Sequence, residues 1–146
     1  MEERELFAHY ELPSNKSPDL EPVQHQREAL TAIREWHEQH AGERAGGILT
    51  IPTGGGKTFV AVRFLCQEPI SDGSKVLWLA HTHHLLEQAF DAFGEGGKHI
   101  VGRDKLDVRT VSGAPGHHHI SRVEPTDDVV IATIQTVQRA YERGVP

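Results

Sequence analysis

The sequence predicts an α/β fold in which a mostly parallel sheet is flanked by helices. Three observations predict it. A glycine-rich turn, Pro52-Thr53-Gly54-Gly55-Gly56-Lys57-Thr58, separates the apolar run Ile48-Leu49-Thr50-Ile51 from the helix-like stretch Phe59 to Leu65. The nearly continuous apolar runs Lys75 to Ala80 and Val129 to Ile134 read as strands buried on both faces. Each is followed by a segment with helical periodicity, and strands alternating with helices build βαβ units, right-handed crossovers and a parallel sheet.

Taken in order, residues 1–22 read as a flexible acidic arm. Pro13, Pro18 and Pro22 stand among polar residues with little periodic apolar content, and two basic residues face six acidic ones, a net −4 of the chain's −6. Residues 23–146 form the remaining domain. A helix starts at Gln24 with Ala29, Leu30, Ile33 and Trp36 on one face, and it runs out in Ala41 to Gly47. Ile48 to Ile51 is the first expected strand. The run ending at Ala80 feeds a helix bearing Leu86, Ala89, Phe90 and Phe93 on one side, with Thr82 as its N-cap. Gly94-Glu95-Gly96-Gly97 reads as a loop, Val108 to Ser112 as a short strand, and Gln135 to Arg143 as the helix after the last strand.

The glycine-rich turn has the chemistry of a phosphate-binding loop. Gly54, Gly55 and Gly56 let the backbone adopt positive φ and aim several N–H groups at one point. Lys57 and Thr58 then open a helix, whose N-terminus carries unpaired N–H groups and roughly half a positive charge. Lys57 suits the β and γ phosphates of a nucleotide, and the Thr58 hydroxyl suits the Mg2+ that bridges them. Ile51 occupies the position of the first glycine in the general pattern. A ligand-free turn has no use for three glycines followed directly by Lys-Thr.

With 146 residues, 37% hydrophobic and 25% charged, the chain has the length and composition of one globular domain. No apolar run reaches the roughly 20 residues that span a bilayer, and Met-Glu-Glu-Arg-Glu does not open a secretory signal. The single cysteine, Cys66, excludes an intrachain disulfide and reads as a small buried apolar residue. A cytoplasmic location is expected. The net charge of −6 argues against a simple basic nucleic-acid module, although it leaves room for a local electropositive groove.

Four segments, in order, resemble the first RecA-like domain of superfamily two helicases of the DEAD/DEAH type, in the branch of type III restriction subunits and UvrB-like proteins. Gln26-Arg27-Glu28-Ala29-Leu30 is similar to the upstream glutamine motif, and Pro52 to Thr58 to motif I. Leu79-Ala80-His81 with Leu85-Leu86-Glu87-Gln88-Ala89 is similar to motif Ia, and Ala132-Thr133-Ile134-Gln135-Thr136 to the downstream Thr-containing motif. The resemblance implies a P-loop NTPase that uses ATP and Mg2+ and moves along nucleic acid, with DNA the expected partner and RNA left open. It implies that Gln26 reads adenine, that Thr53 to Thr58 hold the phosphates and metal, and that His81, Thr82, Thr133 and Gln135 contact the nucleic-acid backbone. Lys57 and Thr58 are the expected catalytic residues. An amide that both donates and accepts suits adenine's edge, and a solvated helix residue is the alternative reading of Gln26.

A motor of this kind also needs a strand ending in adjacent acidic residues. The adjacent pair Asp127-Asp128 precedes its strand, at the edge away from the phosphate loop, and is not that motif. The domain is therefore expected to be incomplete, binding ATP without hydrolysing it alone and depending on the remainder of the motor as a partner. Two other classes stay open. A small P-loop phosphotransferase predicts a lid of clustered arginines and an acceptor site, and residues 98–122 supply Arg103, Arg109 and Arg122 without obvious clustering; a non-catalytic module would act through nucleotide or nucleic-acid contact only. His117-His118-His119, flanked by Ala114-Pro115-Gly116, reads as an exposed loop rather than a metal site.

Overall fold

The computed structural model describes residues 7–12, 21–52, 54, 56–100, 102–114 and 117–144. Its elements are β1 (Phe7–Glu11), α1 (Gln24–Gln39), α2 (Lys57–Leu65), β2 (Val76–Ala80), α3 (His83–Gly96), β3 (Lys105–Val111), β4 (Val129–Thr133) and α4 (Ile134–Glu142). The sheet order is β1-β3-β4-β2. β2, β4 and β3 pair in parallel, as expected, and β1 adds an antiparallel edge.

β1 corrects the expectation of an arm without regular structure, at least for Phe7–Glu11. Its alternation explains the pairing. Ala8 and Tyr10 pack on the main core, while Phe7 and His9 lie opposite Arg109 and Asp107, with which they interact. A second correction concerns Ile48 to Ile51, which joins no strand. Ile51 is 5% exposed in a small core with Leu30, Val60 and Phe64, between α1 and α2, whereas Ile48 is 96% exposed. A parallel strand is held by ladder bonds from its neighbours, and none of the described strands lies alongside this segment.

Gly94 to Gly97 supplies the third correction. α3 continues through Gly94 to Gly96, and a 3-10 turn follows. The glycines serve close approach here rather than a loop. A Cβ on Gly96 would stand 2.7 Å from Val62 Cγ1 and 3.1 Å from Cys66 Sγ, and one on Gly94 would stand 2.8 Å from the Tyr10 hydroxyl. Small residues at these points let α3 sit against α2 and over β1. The main core, with Val62, Cys66, Phe90, Phe93, Leu106, Val108 and Ile131, lies between α3, α2 and one face of the sheet. Cys66 is fully buried, and burial pushes its thiol up to about 12, which makes it an inert packing residue.

The opposite face carries buried charge. Arg109 donates to both oxygens of Asp127 (2.7 and 3.3 Å), and Arg103 donates to Asp128 at 2.7 Å. Asp128 also accepts the Asp107 backbone N–H (2.8 Å), and Asp127 that of Glu124 (2.9 Å). Fully bonded charges of this kind tie the entry to β4 to its neighbour β3. Removing one partner strands the other in a dry site. Asp127→Ala is therefore expected to cost about 3–5 kcal/mol in urea unfolding, and Arg109→Met/Asp127→Leu much less, because it leaves no unpaired charge.

Candidate functional site

The phosphate-loop residues gather at the start of α2. Gly54 and Gly56 both adopt φ +78°, the left-handed conformation that the glycine run was expected to supply. Thr53 and Gly55 lie outside the described residues. Lys57 is the first residue of α2, exposed and in no ion pair among the described residues, and Thr58 beside it is half-buried. A mobile cation and a hydroxyl at a helix N-terminus are the donor set a nucleotide phosphate and its Mg2+ would take.

Gln26 meets this loop. A Cβ on Gly56 would lie 2.5 Å from Gln26 Nε2, so the side-chain amide rests against the loop backbone. Its Oε1 accepts the Val23 N–H at 3.1 Å, closing the first turn of α1. The residue is thus no freely solvated helix glutamine. Packing of Leu30 against Ile51, Val60 and Phe64 holds α1 on α2 and sets this approach.

A second group stands at the C-terminal edge of the parallel strands. Ala80 of β2 and Thr133 of β4 are direct partners, so the N-termini of α3 and α4 begin side by side. Thr82 caps α3 by accepting the Leu85 N–H at 3.3 Å, and Thr133 caps α4 by accepting the Thr136 N–H at 3.2 Å. Thr133 is 5% exposed, and its hydroxyl donates to Thr136 Oγ1 at 2.7 Å. Its structural work is capping. His81, Thr82 and Gln135 are exposed around it, with backbone N–H groups of two first turns nearby.

Against expectation, His117 and His118 are not exposed, although His119 is. His118 bridges Val111 in parallel, its N–H donating to Thr110 O at 2.9 Å, and its ring meets Arg109 Nη1 at 2.8 Å. The His117 side chain is 1% exposed and hydrogen-bonds Ser112 through Nδ1, with Glu87 Oε1 3.5 Å from Nε2 and His83 in edge contact at 5.7 Å. Sequence reasoning missed this cluster, whose signal was the histidine triplet after a strand end. Among the described residues no group of three or more His, Cys, Asp or Glu could hold a metal ion, and no helix is long and apolar enough to cross a membrane. Arg103 and Arg109 are held in the buried pairs, so they do not form a lid.

A family model described as type III restriction enzyme, res subunit, matches residues 19–144. No curated protein and no solved structure matches the chain.

The contact between Gln26 and the loop can be measured. Gly56→Ala should lose about 1–2 kcal/mol from the left-handed conformation alone, plus the cost of displacing the Gln26 amide. In urea unfolding Gly56→Ala/Gln26→Ala should recover the second part and not the first. Full recovery would show that the backbone conformation carries no strain for alanine.

Proposed function

Because the chain belongs to the family of type III restriction enzyme res subunits, a helicase-type domain of superfamily two with the RecA-like P-loop fold, we propose that it is the ATP-binding segment of an ATP-dependent DNA helicase or translocase. The observation that carries the reading is the Gln26 amide resting on Gly56, at the N-terminus of a helix that begins with the exposed Lys57. In this reading Gln26 recognises adenine, Thr53 to Gly56 wrap the phosphates, and Lys57 and Thr58 hold the γ-phosphate and Mg2+. The bound ATP supplies the chemistry of phosphoryl transfer to water. The chain's own residues bind and orient it.

The family acts on nucleic acid, and a restriction enzyme's substrate is DNA, which supports DNA over RNA. The edge formed by His81, Thr82, Thr133 and Gln135 is the proposed contact, directed at the sugar-phosphate backbone and independent of sequence. Thr133 acts there through the cap that orients the first turn of α4. A cytoplasmic location fits this role.

Hydrolysis needs more than these residues provide. Asp127 and Asp128 are bound in buried pairs before β4, and among the described residues no adjacent acidic pair stands at the C-terminal end of a strand. The remainder of the motor is proposed to supply the carboxylates and the arginine, and its strands to extend the sheet along β2. Two features support this. β2 is an edge strand with Leu77 and Leu79 55% and 45% exposed, where parallel strands are ordinarily covered on both faces. An apolar groove of about 480 Å³, lined by residues including Ile33, Trp36, Ile48 and Leu49, opens beside α1 and α2.

Lys57→Ala should weaken ATP binding by about 1.5–3 kcal/mol and adenosine binding much less, measured by titration calorimetry. Equal ATP affinity in the two proteins would remove the phosphate-loop assignment. With ATP and Mg2+ bound, single-turnover phosphate release by the isolated chain should stay at background, with or without single-stranded DNA. DNA-stimulated release abolished by Lys57→Ala would show that the hydrolytic carboxylate lies within these residues.

A further inference from the structure

We propose that His117 is a positioning residue, a proton-sensitive strap that fastens Ser112, next to the end of β3, to α3 and thereby controls how the exposed start of α3 meets a nucleic-acid backbone. The consequence for nucleic acid rests on the reading given above; the strap itself does not.

The geometry is that of a bridge between two elements. From the end of β3, Ser112 reaches His117 Nδ1, and the same Ser112 oxygen accepts the Ala114 N–H at 3.1 Å. From α3, the Glu87 carboxylate lies 3.5 Å from the buried Nε2, near enough for charge attraction but making no hydrogen bond to it, and His83 packs edge-on at 5.7 Å. The neighbouring ring, His118, is turned the other way, toward Arg109 and Phe7. Glu87 and His83 lie one turn apart on α3, so the imidazole grips the first turn and a half of the helix that His81 and Thr82 introduce. His84, on the same turn, contacts Gln88 instead.

One protonation state fits these partners. With the proton on Nε2, the neutral ring accepts from the Ser112 hydroxyl through Nδ1 and keeps its N–H on the side where the Glu87 carboxylate stands, without a hydrogen bond to it. A second proton turns Nδ1 into a donor. The Ser112 hydroxyl must then rotate away from it inside a buried site and loses its acceptor. Burial holds the His117 imidazole below the ordinary histidine value of 6.5, Glu87 pulls it back up, and His83 adds to the lowering. The sign follows from linkage. Because the strapped state binds a proton less readily than the released one, the strap is at full strength above 6.5 and weakens as pH falls through the lower strapped value.

The test uses the full chain, the variants His117→Gln and Glu87→Gln, and a single-stranded oligonucleotide as probe. Glutamine can bridge Ser112 and Glu87 without titrating. Hydrogen exchange of amides 85–89, corrected for intrinsic rates, should show protection in the parent falling by roughly threefold or more between pH 7.5 and 5.5. In His117→Gln the protection should stay flat. Glu87 is half-exposed, so Glu87→Gln should fold, and losing its upward pull should move the transition to lower pH. Oligonucleotide affinity of the parent relative to His117→Gln should fall by a similar factor over the same range. Indistinguishable exchange profiles of parent and His117→Gln, an unmoved transition in Glu87→Gln, or an affinity ratio constant with pH would each overturn the proposal. Absence of oligonucleotide binding at every pH would instead overturn the nucleic-acid reading, with the exchange profiles still deciding the strap.

Discussion

The register in which β2, β4 and β3 pair in parallel governs where this molecule can do chemistry. Ala80 opposite Thr133, and Val111 opposite Ala132, bring three strand ends to one edge. Parallel strands of equal register must hand their chains to helices on the same side, so α3 and α4 start together and their unpaired N–H groups share one surface. The two threonine caps satisfy only part of that donor set. The His117 bridge from the end of β3 then reaches α3 across the same edge. A one-residue slip in either ladder would separate these groups and turn the alternating side chains of a strand to the wrong face.

Buried charge underwrites that register. Arg109 is bonded to Asp127 and stacked on Phe7, while Asp128 accepts both Arg103 and a backbone N–H of β3. Such groups are costly to desolvate, and each is satisfied only in one arrangement of β1, β3 and the turn into β4. The aspartate pair thus works in the sheet's construction at the strand's N-terminal end. With two bonds accepted by Asp128 and three by Asp127 in a dry site, these carboxylates are committed to the sheet's construction.

The proposed nucleotide site is assembled differently. α1 and α2 form their own small core around Leu30, Ile51, Val60 and Phe64, and that packing brings Gln26 to Gly56. The tie to the sheet runs through α2 and α3, where Gly96 lets Val62 and Cys66 approach. The candidate phosphate loop and the proposed nucleic-acid edge therefore sit on neighbouring helices that share a packed contact. That is the arrangement through which a ligand on one could bias the other, given two states of the contact.

Local chemistry made much of this legible in the residues alone. Continuous apolar runs mark β2 and β4, 3.6-residue periodicity marks α1, α3 and α4, Thr82 announces its cap, and three glycines before Lys-Thr announce a left-handed turn opening a helix. These signals depend on a residue and its near neighbours, so they survive without knowledge of the fold. Contacts between distant segments were not legible. Gly94 and Gly96 read as a loop because their purpose is the absence of a Cβ against Tyr10 and Val62, which no local pattern records. Phe7–Glu11 became a strand because β3 offers it a ladder, Arg109 and Asp107. Ile48 to Ile51 has strand composition and no strand beside it. His117 looked exposed between Gly116 and two further histidines, and its burial comes from Ser112, His83 and Glu87, which only folding brings together.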